Sequence, residues 1–430
     1  MRTIVYKEIT DIAVIKKQLF AWAQQFREVV FCDNNYHKNA YGEYELLLAV
    51  DAFTSIKTDY YQAFDNLHQY QSRVKDWVFG YLTYDLKNDI EDLISQNYDR
   101  LNFPDLFFFQ PKKIFLIREN QLEIQYLNMC SDELESDYEV IINQSFTLPE
   151  EIQNLEIKQK ISKEKYISKV QKMQEYIHRG DIYEANFCME FYAENALINP
   201  PHVFNKLNVI SQAPFAVFFK NDDHFLISAS PERYLKKQQY KVISQPIKGT
   251  TKRSQDKAID EILKKELGNN LKERSENIMI VDLVRNDLSK NATKESVKVE
   301  ELCGIYTFKQ VHQMISTIVS EIEPTTPPVT IVKDTFPMGS MTGAPKISAM
   351  KIIEELEETK RGLYSGAVGY FTPCGDFDFN VVIRSILYQA KEKYVSFSVG
   401  SAITALAVPE LEYEECLLKA KAMLEVLQSN

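Results

Sequence analysis

Tyr240-Lys241-Val242-Ile243-Ser244-Gln245-Pro246-Ile247-Lys248-Gly249-Thr250 sets a short apolar strand against one lysine held between a proline and a glycine. Proline presets one backbone angle and glycine permits any, so the chain presents Lys248 at the end of the strand rather than burying it in a ladder. Alone, Pro-x-Lys-Gly is also an ordinary turn with a solvated lysine. The surrounding sequence decides between the two.

Upstream, residues 215–219 and 225–229 flank Asn221-Asp222-Asp223 as the arms of a hairpin. Before them Ser162 can cap a helix whose Ile167, Val170, Met173 and Ile177 recur at three- and four-residue steps, and Gly180 stops it. Residues 44–50 and 77–82 are apolar runs of strand length. An acid-rich polar stretch, 131–154, ending near Pro149-Glu150-Glu151, reads as a linker between an N-terminal subdomain (1–145) and a second one (155–428). Downstream, a strand is expected over 394–399 and a helix over about 409–427, with Pro409 in its first turn.

The chain has 430 residues, 45% of them hydrophobic, enough for two domains or one large core in two subdomains. With 24 Tyr and 25 Phe, it favours a sheet-rich α+β protein over a helical bundle. A formal charge of -11, with no long basic block, argues against nucleic acid as a partner. The six cysteines form no CxxC and no regular spacing, so they read as reduced thiols in a cytosolic, cytoplasmic protein. The N-terminus lacks the apolar core of a signal peptide, and no segment reaches the ~20 apolar residues of a membrane helix.

Two carboxylate pairs stand at helical spacing. Glu273 and Glu276 lie three apart within 271–282, and Glu412 and Glu415 repeat the step in the final helix, followed by Lys419. Hard divalent cations take oxygen ligands and commonly only one or two protein carboxylates, so one Glu from each helix would suffice. With 61 acidic residues in the chain, such pairs are also ordinary solvated faces.

Gly339-Ser340-Met341-Thr342-Gly343-Ala344-Pro345-Lys346 fails the phosphate-loop pattern, because its lysine does not directly follow the second glycine. It still leads into a helix whose first amides and Lys346 could hold an anion or simply form a capped start. Residues 366–371 and 398–402 are strands punctuated by glycine, where a ligand or another strand can approach closely. Arg384 lies in the apolar run Val381-Val382-Ile383-Arg384-Ser385-Ile386 and needs a partner if buried, a carboxylate of the protein or of a substrate.

Together these pieces resemble the chorismate-utilising enzymes, which include anthranilate, aminodeoxychorismate, isochorismate and salicylate synthases. The resemblance runs from about Ile161 to Leu427. It rests on His178-Arg179-Gly180-Asp181-Ile182-Tyr183, Ser230-Pro231-Glu232-Arg233, Pro246-Ile247-Lys248-Gly249-Thr250 and Glu276-Asn277-Ile278-Met279-Ile280-Val281-Asp282-Leu283. Thr342-Gly343-Ala344-Pro345-Lys346, Gly366-Ala367-Val368-Gly369-Tyr370 and Ile383-Arg384-Ser385 follow in the family's order.

The resemblance implies an α+β fold of two subdomains, with packed, mostly antiparallel sheets and outer helices, and chorismate in the cleft. Lys248 in the Pro-Ile-Lys-Gly-Thr run is similar to the aminodeoxychorismate synthase branch, where anthranilate synthases look like Pro-Ile-Ala-Gly-Thr. It would then be the nucleophile, and His312 the group near the departing hydroxyl. Mg²⁺ would sit on Glu276 and Glu415, with Glu273 and Glu412 as further or water-mediated ligands. Arg384 and Tyr370 would grip the enolpyruvyl carboxylate, Gly400 and Lys419 would assist at the carboxylates, and Thr250 and Thr342 would line the pocket. Lys248 must lose its proton first, which calls for burial or nearby positive charge. At 399–405 the chain is poorer in glycine than the family, with Ser401 and Ala402 in the run.

The implied activity is amino transfer to chorismate, giving 4-amino-4-deoxychorismate. None of the cysteines sits in a strand-to-helix nucleophile turn, so a separate glutamine amidotransferase subunit is expected to supply ammonia. Anthranilate synthase component I is the nearest alternative, and a dormant chorismate-binding regulatory partner is another. The leucine, glutamate and serine motif that marks tryptophan feedback is not identifiable in 46–50, so feedback inhibition is not expected, although the pocket could persist.

Overall fold

The apolar run at 44–50 becomes part of a strand, Leu46–Thr58, in the computed structural model, which describes residues 1–143 and 155–428. Leu46, Leu48 and Val50 enter one core while Leu47 and Ala49 enter another, so both faces are buried and the sequence shows no polar alternation. Strand Glu28–Asp33 divides in the same way, with Val29 and Phe31 on one side and Val30 on the other.

Strand pairing is antiparallel and continuous. Glu184–Ala193 pairs with Tyr394–Ile403, which leads through Ser385–Gln389, His224–Ser230, Phe215–Asn221, Glu28–Asp33 and Leu46–Thr58 to Leu106–Arg118. The path returns through Val78–Leu82, Ala367–Phe371, Phe377–Val381, Arg233–Gln238 and Lys241–Gln245 to Val311–Glu321. Its two halves close over the second core, where Phe79, Phe108, Phe219, Tyr234 and Phe379 meet.

Helices cover the outside. Ile12–Ala23, Lys163–Arg179, Pro200–Ser211 and Pro409–Gln428 bury Phe20, Val170, Phe204 and Met423 in the first core. Leu271–Ser289 buries Ile280, Val284 and Leu288 in the second. The chain is therefore α+β, with packed antiparallel sheets inside and helices outside. Among the described residues no helix is long and apolar enough to cross a membrane.

Local signals work where a cap or turn is spelled out. Ser162 accepts the Lys165 N–H, Lys163–Arg179 is helical, and Gly180 ends it at φ 86°. The hairpin turns at Asp222-Asp223, with Asp222 at φ 52°.

The expected linker is different. Leu134–Asn143 is a helix that buries Leu134 and Ile141 against the first core, because its apolar residues share a stripe despite the acidic composition; 144–154 lies outside the described residues. Strands at 28–33 and 78–82 pair with strands at 215–221 and 367–371, so the portions 1–145 and 155–428 share one hydrogen-bonded sheet.

Candidate active site

Lys248 does not end its strand. Lys241–Gln245 breaks at Pro246 and the chain resumes as Ile247–Lys252, pairing with Val311–Glu321. Ile247 faces Ile315 and Thr250 faces Gln313, so three steps on one side meet two on the other. The extra residue is a β-bulge, and Gly249 absorbs it at φ 91°. Asn277, from helix Leu271–Ser289, pins the bulge by donating to the Lys248 carbonyl and the Met314 carbonyl, each at 3.4 Å.

The bulge turns Lys248 inward. Its Nζ lies 2.7 Å from Glu184 Oε1 and both side chains are buried. Burial opposes the ammonium charge, but Glu184, Glu276 and Glu232 outweigh it and hold the pKa above the ordinary lysine value. The expected positive neighbour is absent from this set, and carboxylates surround the lysine instead. Glu232 takes a hydrogen bond from Ser340 Oγ at 2.6 Å and is pushed up to about 7 by burial.

Helices Leu271–Ser289 and Pro409–Gln428 bring the four glutamates together. Lys272 spans them, 3.5 Å from Glu412 Oε1 and 3.8 Å from Glu276 Oε1. Burial pushes Glu276 up to about 7 and also raises Glu273 and Glu412, the latter two further through Glu415. Glu415 is half open to solvent; the surrounding protein disfavours its charge, but Lys419, 2.6 Å away, holds it below the carboxylate norm.

This donor set suits a hard cation, since it is all carboxylate oxygen and Glu276 Oε1 is buried with no hydrogen-bond partner. Among the described residues no three carboxylate, imidazole or thiol groups form a ready metal cage. An ion taking one or two protein carboxylates fits better than one needing full protein coordination.

Arg384 stands between strands Phe377–Val381 and Ser385–Gln389, at φ 52°, rather than inside a strand. Its Nη1 donates to the Lys419 carbonyl at 3.1 Å, and no carboxylate of the described residues lies within ion-pair distance. Burial lowers its pKa, while Tyr364 and Glu415 act the other way. Arg384 lines a cleft of about 540 Å³ whose walls include Leu207, Pro214, Val311, Gln313 and Met423.

Several expected site residues lie elsewhere. Tyr370 packs its ring on Trp77, Phe79 and Tyr44 and lines a separate cleft of about 690 Å³ with Cys32, Asp33 and Arg233. The aromatic hydroxyl that acts on Arg384 is that of Tyr364, just before the strand. His312 is buried with Nε2 3.0 Å from Asp260 Oδ1 and Nδ1 2.9 Å from Thr307 Oγ1, so both nitrogens are engaged away from the cleft. Its neighbour Gln313 takes the opposite face of the strand, the one that lines the cleft.

Thr342 is fully buried, and its hydroxyl bonds the Met338 and Gly339 carbonyls of its own loop, the same carbonyls that accept the Met341 and Thr342 N–H groups in the tight turn before Lys346–Leu356. Lys346 is committed to Asp287 at 2.6 Å rather than free to meet an anion. Thr250 is exposed opposite Gln313. At Gly369 an added Cβ would strike the Asp378 carbonyl at 2.1 Å, so a neighbouring strand explains that glycine. At Gly400 it would lie 2.4 Å from Asn186 Oδ1 and 2.6 Å from Cys188 Sγ; the Gly400 carbonyl accepts from Lys419 Nζ at 2.8 Å. Ser401 turns to the first core, within 2.9 Å of the Tyr166 hydroxyl.

A family model described as chorismate binding enzyme matches residues 23–425. The chain belongs to that family. It is 34% identical over 356 residues to an anthranilate synthase component I-like protein of Synechocystis, covering 82% of this chain and 72% of that one. It is 36% identical over 269 residues to aminodeoxychorismate synthase component 1 of Klebsiella aerogenes, covering 63% of this chain but only 59% of the relative's length. The solved structure of anthranilate synthase component I from Streptococcus pneumoniae shares the fold at a TM-score of 0.78, with 24% identity over 90% of this chain and 93% of that one.

As a chorismate-utilising family member, the chain gathers Lys248, Glu276, Glu273, Glu412, Glu415, Arg384 and Lys419 in one region and leaves His312, Tyr370 and Thr342 out of it. Sequence reasoning assigned no role to Glu184, Asn277, Gln313 or Tyr364. Glu232 and Asn277 fall inside runs already quoted for the resemblance, and Glu184 directly follows one. The signal was position within a motif.

Proposed function

We propose that this chain is the synthase component that converts chorismate and ammonia to 4-amino-4-deoxychorismate, with ammonia supplied by a separate glutamine amidotransferase. The observation that supports it most directly is Lys248, an amine set inward by a bulge, against a carboxylate, beside the glutamates of two helices. A lysine in that place can divide one hard displacement into two easier ones. The free amine forms a bond to ring C2 as the C4–O bond breaks, and the proton it sheds leaves with the hydroxyl as water. Ammonia then bonds to C4 as the C2–N bond breaks, and its surplus proton passes to the departing lysine amine.

Glu276 and Glu415 would hold Mg²⁺, with Glu273 and Glu412 as further or water-mediated ligands, and bound there the ion would neutralise and orient the ring carboxylate. Arg384, with no carboxylate of the described residues within ion-pair distance, would take the second carboxylate of the substrate. The cysteine placements favour a separate source of ammonia. Cys32, Cys188 and Cys303 lie in strands, Cys416 in a helix, Cys130 in a short helical turn and Cys374 in a turn between strands.

A second reading, anthranilate formation, draws on the name of the Synechocystis relative. One experiment separates them. Pure protein with chorismate, Mg²⁺ and ammonium should give aminodeoxychorismate, convertible to 4-aminobenzoate by an added lyase, and Lys248→Ala should lose that turnover. Fluorescent anthranilate would support the second reading, and no turnover would support a dormant binding partner.

A further inference from the structure

Gln313 is 4% exposed, and its Oε1 is buried without a hydrogen-bond partner. Buried acceptors in folded proteins are almost always paired, so an orphan in the wall of a cleft asks what pairs with it. Its strand neighbours do not. His312, next in sequence, is turned to the other face and tied to Asp260 and Thr307. The cleft that Gln313 lines is otherwise mostly apolar, with Leu207, Pro214, Phe308, Val311 and Met423, and its one charged side chain is Arg384. Such a lining fits a small apolar ring carrying a carboxylate for the arginine and one hydrogen-bond donor for the amide oxygen.

We propose that Gln313 is the residue that reads the ring hydroxyl of the bound substrate, its amide oxygen accepting that hydrogen bond while Arg384 holds a carboxylate. This rests on the reading that the cleft takes chorismate. An amide neither gains nor loses a proton in the working range of pH, so Gln313 binds and orients the hydroxyl without supplying its proton. Selectivity follows, because a buried polar group left unpaired penalises any analogue that lacks the matching hydroxyl.

The test uses the full-length chain in a Lys248→Ala background, so that binding is measured without turnover. Chorismate and an analogue with hydrogen in place of the ring hydroxyl are titrated calorimetrically in the presence of Mg²⁺. Adding Gln313→Met, which keeps the length and removes the polar atoms, should weaken chorismate roughly 10- to 100-fold and leave the analogue almost unchanged. Its melting temperature should hold or rise, since an unpaired buried oxygen has been replaced by an apolar group. Gln313→Asn, which withdraws the amide, should reproduce the loss for chorismate alone. Equal weakening of both ligands would make Gln313 a packing residue, and unchanged chorismate affinity would remove it from the site. If Gln313 is intact and chorismate does not bind, the chorismate reading itself falls and the Gln313 proposal with it.

Discussion

Lys248 keeps its charge against its own burial because Glu184 Oε1 lies 2.7 Å away and two further carboxylates stand near. A free amine must therefore be made at the expense of that pair. Replacing the carboxylate by an amide removes most of the attraction that holds the proton, so Glu184→Gln should lower the Lys248 pKa and move the alkaline-rising limb of kcat/KM to lower pH. The direction follows from sign alone: a raised pKa means the free amine appears only as pH climbs, and removing an anion brings that point down. A kcat/KM profile against pH checks it, and a limb that stays put or moves up would detach Glu184 from the nucleophile. Sequence made Arg384 legible because a charge interrupts an apolar run, while Lys248 and Glu276, ordinary by local pattern, became legible through the ordered motifs around them. It misplaced His312 and Tyr370 for a geometrical reason. One residue along a strand reverses the face, so His312 and Gln313 exchange roles unless register is known, and register is fixed by a bulge that the sequence does not display.

At the scale of elements, the bulge at Lys248-Gly249 joins strand chemistry to helix chemistry. Gly249 sits at φ 91°, and an added Cβ would lie 3.1 Å from Glu273 Oε2 and 3.3 Å from Met314 Cβ. Gly249→Ala should thus cost about 1–2 kcal/mol in backbone strain and also press on the Glu273 side of the carboxylate group. Activity should fall further than a melting curve alone explains, and a variant that loses stability but keeps full activity would show that the bulge geometry is dispensable. Elements with end signals were readable in advance. Ser162 and Gly180 bound one helix, and Pro409 opens the last. The helix Leu134–Asn143 was not, because acidic residues at 135, 137 and 139 hide an apolar stripe that has meaning only once the first core is there to cover it.

Across the whole molecule, the two helices that carry the glutamates serve different cores. Leu271–Ser289 covers the second and Pro409–Gln428 the first, and at the site Lys272 reaches across from one to Glu412 of the other. An ion held by Glu276 and Glu415 would tie the layers together, adding stability in the folded state that the unfolded chain cannot share. The strand path also runs through both portions of the sequence, so melting should be one transition rather than two. Mg²⁺ should therefore raise the temperature of that single transition without any substrate present. At a hundred times its dissociation constant the gain is about 2.7 kcal/mol. Glu276→Gln combined with Glu415→Gln should abolish the shift, even though relieving the crowded carboxylates can leave the metal-free protein as stable as before or more so. Calorimetry with and without Mg²⁺ reads both effects. A shift that survives the double substitution would place the ion elsewhere, and no shift in the parent chain would leave the glutamates as partners of Lys272 and Lys419 alone.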